Sequence, residues 1–140
     1  MAVYRESGRG QLLVTAFASQ VLALDRMTGE VRWNVNLRTL SAPVEIVIDD
    51  DVVIACAGSV IAFIEYATGA VRNRIERAPQ TAGWRHVTIV DGEHIYVAGG
   101  GVVACYTRQG SQLWERAFLG ADSIALGFPH KVRQADHSGR

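Results

Sequence analysis

An all-β fold, built from repeated four-stranded antiparallel units, is predicted by three observations. One phrase recurs: "LDRMTGEVRW" at Leu24–Trp33 returns as "IEYATGAVRN" at Ile64–Asn73 and as "YTRQGSQLWE" at Tyr106–Glu115, a period of about forty residues. Val, Ile, Leu, Tyr and Trp dominate short runs around each phrase, with turn-forming residues between the runs, and that is strand chemistry. No amphipathic pattern of helical period is sustained anywhere.

Alignment on Gly29, Gly69 and Gly110 puts the elements in order. Two β-like runs precede each glycine: "QLLVTA" and "QVLALD", then "DVVIACA" and "VIAFIE", then "HIYVAG" and "VVACYT". They are joined by "FAS", "GS" and "GG", short enough for hairpins that need positive φ. The second connections, "DRMTG", "EYATG" and "TRQG", end in glycine, as a left-handed turn position favours. A third run follows each turn: "EVRWNVNL", "AVRNRIE" and "SQLWERAF". A fourth strand precedes the second and third copies, "VEIVID" (Val44–Asp49) before an acidic turn and "RHVTIV" (Arg85–Val90) before "DGE". Four antiparallel strands in about 40 residues match a β-propeller blade.

The residues "VLALDRMTGEVRW" resemble the repeat of the PQQ-like (quinoprotein-type) β-propellers, and the resemblance runs over about residues 11–118. The third copy keeps Gly110 and Trp114 but reads "CYTRQG", and the second keeps Thr68 and Gly69 but has Asn73 in place of tryptophan. The resemblance implies that the glycine makes the turn and the tryptophan fills the gap between blades. What fills the gap at Asn73 stays open in the sequence. Quinoprotein dehydrogenases with this repeat are far longer and hold their cofactor with a full ring, a calcium site and adjacent cysteines. Here Cys56 and Cys105 are far apart, so the resemblance implies the scaffold without the cofactor or the enzyme activity.

The blades are read as about 11–37, 44–77 and 85–118, in a half-propeller domain of residues 1–128 followed by a polar tail, 129–140. The first blade lacks an innermost strand, because "MAVYRESGRG" is polar and glycine-rich. At the other end "ADSIALGF" (121–128) sits where an innermost strand belongs, with no blade after it. The two defects match. Three blades fall below the usual four to eight, and two chains would supply about six. The sequence therefore predicts a homodimer closed by strand exchange through Ser123, Ile124, Ala125, Leu126, Gly127 and Phe128, each chain completing the other's first blade.

Net charge is 0, which argues against a nucleic-acid binder or a polybasic membrane anchor. Apolar runs are too short to cross a bilayer as a helix. The polar N-terminus shows no signal peptide, so the chain is expected to be cytoplasmic, or part of an assembly built there. Cys56 and Cys105 read as small core hydrophobes, with no metal-ligand spacing around them. Asp49, Asp50 and Asp51 do not follow a calcium-loop pattern and read as a solvated turn. The four histidines are scattered and read as surface or turn residues. No nucleophile or phosphate-loop motif is present.

What remains is binding. The connections between blades are the most varied segments, and they carry the candidate contact residues Arg38, Arg77, Trp84, Arg85 and His86, Arg and Trp being enriched at interfaces. The expected function is a non-enzymatic protein-binding or assembly module without cofactor or metal, whose partner is a second copy or another protein. The alternatives are a component of a larger particle completed by a different chain, and a propeller that binds a small molecule in its channel.

Overall fold

The computed structural model describes residues 11–39, 43–77, 85–118, 124–129 and 131–134, the last four as backbone alone. All regular structure among them is β-strand. The first sheet holds β1 (Leu12–Phe17), β2 (Gln20–Asp25) and β3 (Val31–Asn36). The second holds β4 (Val44–Asp49), β5 (Val52–Ala57), β6 (Val60–Glu65) and β7 (Val71–Glu76). The third holds β8 (Val87–Asp91), β9 (His94–Gly99), β10 (Val102–Thr107) and β11 (Gln112–Ala117). Each is an antiparallel meander in chain order, so the repeat is a blade; the described residues hold three, the first with three strands among them.

The turn before each last strand is built alike three times. Gly29, Gly69 and Gly110 have φ of 79°, 80° and 92°, a region that L side chains rarely adopt. Their amides donate to Asp25 O at 2.7 Å, Glu65 O at 2.8 Å and Thr107 O at 2.9 Å. Past each turn the register slips by one residue, between Ala23 and Leu24, Phe63 and Ile64, and Cys105 and Tyr106. The slip sets Trp33 opposite Ala23, Asn73 opposite Phe63 and Trp114 opposite Cys105.

Two apolar seams hold the blades together. Val14, Val21, Ala23, Trp33 and Leu37 of the first blade pack against Val53, Ala55, Ala57, Ala62 and Ile64 of the second. Val52, Ile54, Cys56, Ile61 and Phe63, from the opposite face of that second blade, pack against Val90, Ile95, Val97, Ala104 and Tyr106 of the third. Strand residues alternate between faces, so the middle blade is apolar on both, and every residue of β5 is buried. Cys56 and Cys105 are buried and free, and burial pushes the Cys56 thiol up to about 12, which keeps it unreactive.

The segment after the third blade departs from the expectation. Ala125–Phe128 does form a strand, β12, with Ile124 just before it, while Ser123 lies outside the described residues. However, β12 is not a lone strand. It pairs antiparallel with β13 (Lys131–Gln134), and both lie against β8, in the place where the first half of a further blade belongs. β13 falls inside the segment read as polar tail. A four-residue strand with one apolar side chain gives no alternation to read, and its pairing uses backbone groups alone.

Candidate interaction surfaces

The tryptophan of one blade seats on the turn glycine of the next. A Cβ added to Gly69 would lie 2.6 Å from Trp33 Cγ, so only glycine admits the indole there. Trp33 Nε1 donates to Tyr66 O at 2.9 Å, and Trp33 is 8% exposed. At the next seam Asn73 replaces the indole. Its amide nitrogen donates to Gly110 O at 2.9 Å, and Phe63 moves into the space beside it. A Cβ on Gly110 would meet Asn73 Cβ at 2.7 Å and Phe63 Cδ1 at 2.8 Å. Phe63 packs at a tilt against Tyr106, ring centroids 5.4 Å apart and planes at 58°. The missing plug is thus supplied from the opposite strand.

Both outer faces lack this fit. Trp114 is 47% exposed and touches Tyr96, its centroid 6.3 Å away, and Tyr96 in turn meets Phe128 at 6.0 Å. At the other end, a Cβ on Gly29 would meet nothing within 4 Å. Beside it Leu13 and Phe17 are 58% and 56% exposed, at the positions where the second blade buries Val53 and Ala57. The chain ends in a plug at one face and a socket at the other.

A polar latch crosses each seam near the turns. Tyr66 closes onto the first blade, its hydroxyl donating to Leu12 O at 2.8 Å and accepting from Leu12 N at 2.9 Å. Arg108, at the corresponding place one blade on, donates to the carboxylates of Asp49 at 2.8 Å and Asp51 at 2.7 Å and to the carbonyls of Asp49 and Gly92. Arg72 adds Asp51 and Glu65, both at 2.9 Å. The hydrogen bonds from Arg108, then those from Arg72, hold Asp51 down at about 2. The acidic turn is exposed, as expected, and two of its carboxylates also hold the two arginines.

Of the contact residues read from the sequence, Arg77, Arg85 and His86 come together at the opposite end of the second seam. His86 N donates to Glu45 Oε1 at 2.7 Å, and Arg85 pairs with Glu45 at 3.5 Å. Arg77 Nη2 donates to the Tyr106 hydroxyl at 2.8 Å, while Arg77 Nε and Nη1 and His86 Nε2 are buried with no hydrogen-bond partner among the described residues. Arg38 stands apart, exposed on the first blade with φ of 57° and its amide held by Asn36 Oδ1 at 2.7 Å. Trp84 lies outside the described residues. His86 is not the surface residue expected: it is 7% exposed and rests on Gly99, where a Cβ would approach its Cδ2 to 2.7 Å. The sequence holds a faint signal for this in the glycine that ends β9.

Burial first, and the charge of Arg77 second, push His86 down to about 4. The unfolded chain then takes up a proton near pH 6.5 that the folded chain refuses until about pH 4. Stability is expected to be full above pH 6.5 and to fall by about 2–3 kcal/mol as pH drops to 4. Urea unfolding of the chain and of His86→Gln across that range checks this, and the variant should lose the slope.

The repeated blade, the glycine turn and the tryptophan seat agree with a family model described as outer membrane protein assembly factor BamB, which matches residues 4–128. The chain belongs to this PQQ-like β-propeller family. No curated protein matches it. Among solved structures, this PQQ-like propeller is similar to BamB from Moraxella catarrhalis at TM-score 0.68 and 19% identity, over 91% of this chain and 44% of that one. It is also similar to the computationally designed Ika8 protein at TM-score 0.69 and 12% identity, over 89% and 40% of the two chains. A europium-containing methanol dehydrogenase matches at TM-score 0.58 and 16% identity, over 79% and 23%. The PQQ-like propeller thus spans less than half the length of each of these three structures, and what it shares with them is the fold.

Proposed function

We propose that this propeller arc is a non-enzymatic assembly and protein-binding module, and that further blades from a second copy complete it. One observation carries the reading: the described arc has two unfinished faces of opposite kind, an exposed Trp114 plug and an open Gly29 socket. Exposed apolar sheet faces of this sort favour association. The description of the matching family as an assembly factor supports the same class of role.

The test is the native mass of the purified protein. Three blades from each of two chains fall within the usual propeller range, so a species at twice 15.2 kDa is expected. Two blade faces should bury about 2,000 Å² or more, enough for a stable pair. A folded monomer at micromolar concentration sinks the second-copy reading, and pull-down would then look for a different chain.

A further inference from the structure

Resting on that reading, we propose the junction itself: Trp114 of one copy seats on Gly29 of the next, and β1 of that next copy displaces β13 from the edge of β12. The geometry of the joint is already written twice within the chain. Gly29 has the φ of Gly69, 79° against 80°, so the two turns present the same concave surface. The backbone bonds agree as well, Asp25 N to Glu30 O at 2.7 Å and Glu65 N to Ala70 O at 2.8 Å. One turn holds Trp33, and the other has open space. Trp114 is the plug left over, opposite the small Cys105 as Trp33 is opposite the small Ala23.

Charge agrees with this pairing. Arg108 reaches back to Asp49 and Asp51 on the preceding blade. The residue at the place of Arg108 in the first blade is Arg26, and the acids at the places of Asp49 and Asp51 in the third blade are Asp91 and Glu93. A head-to-tail joint brings those opposite charges together, as the internal seam does.

The strands agree too. Among the described residues the first blade has no opening strand, and β12 is an opening strand whose neighbour is the four-residue, polar β13. β1 offers six residues, "LLVTAF", to the same edge, with Leu13 and Phe17 then covered. β13 occupies the edge in the single chain, and a second copy outcompetes it with a longer and more apolar strand. Two such joints close around a two-fold axis, and each is the same joint.

The test uses two full-length variants, alone and mixed. Trp114→Ala removes the plug from an exposed site. Gly29→Asn keeps a residue that tolerates left-handed backbone and meets open space in the single chain, but blocks the socket. Circular dichroism should show both folded, and Gly29→Asp, also tolerant of left-handed backbone, serves should asparagine disturb the turn. Each variant alone is expected to dimerise at least tenfold more weakly than the unaltered chain. An equimolar mixture is expected to recover dimers, because one of its two joints pairs an intact Trp114 with an intact Gly29. A chain ending at Pro129 should dimerise at least as well as the full one. If the unaltered chain is dimeric but Gly29→Asn dimerises normally, or the mixture shows no rescue, or the shortened chain is monomeric, the joint is overturned while the assembly reading survives. A monomeric unaltered chain overturns both.

Discussion

Phe63→Ala is expected to lower the unfolding free energy by about 3–5 kcal/mol, among the largest effects of any single change in the chain. Phe63 is fully buried, packs at a tilt against Tyr106 and fills the second seam where the repeat has no tryptophan. Its truncation opens a cavity that Asn73 is too short to close. Asn73→Trp alone is expected to cost about 1–3 kcal/mol, because the indole and the Phe63 ring compete for the surface above Gly110. The two changes together should cost less than their sum, with a coupling of about 1–3 kcal/mol. The double variant recreates the pairing of the other blades, where tryptophan faces Ala23 or Cys105. Urea unfolding of the four proteins in a double-mutant cycle measures this. Additive costs would mean that Phe63 and position 73 do not share one space.

Trp33→Ala carries the second large expectation, again about 3–5 kcal/mol. The change empties the first seam and leaves Tyr66 O without the indole donor. Gly69→Ala should approach the same cost from the other side. It combines strain at φ of 80° with a Cβ driven to 2.6 Å from the indole. Trp114→Ala offers the contrast. It occupies the same place in its blade, yet in the single chain its loss should shift stability by less than about 1 kcal/mol, since no next turn covers it. Denaturant titrations at low protein concentration separate the three. Equal losses at Trp33 and Trp114 would contradict the seam geometry.

Much of this was readable in the sequence, because the repeat constrains it. The turn glycines and tryptophans are spaced by backbone geometry that nothing else satisfies, so the blades and the unpaired start of the first could be placed from "TGE", "TGA" and "RQG". The exchange between positions 63 and 73 was also present in the letters. Phe63 stands where the other copies have Ala23 and Cys105. Seeing it requires the cross-strand register, which a one-residue slip after each turn conceals. Burial of His86 was hidden, since Arg85 and Trp84 beside it signal solvent, and its cover comes from Gly99 on a strand aligned only in the fold. The arginine clamp was hidden for a related reason. Asp51 and Arg108 are far apart in the chain and meet only because consecutive blades stack. Short polar β13 carries no pattern to read.

Every strand in the arc pairs with its neighbour in sequence, and every seam joins one blade to the next. The chain therefore has no step in which its two ends must find each other before any contact is gained. Loops to be closed are short, and each blade can form locally and grow onto its neighbour. On the proposed second-copy reading, completing the circle is a separate event, bimolecular and set by concentration. A cell could hold the folded arc in reserve and govern the closed form by how much of it is made.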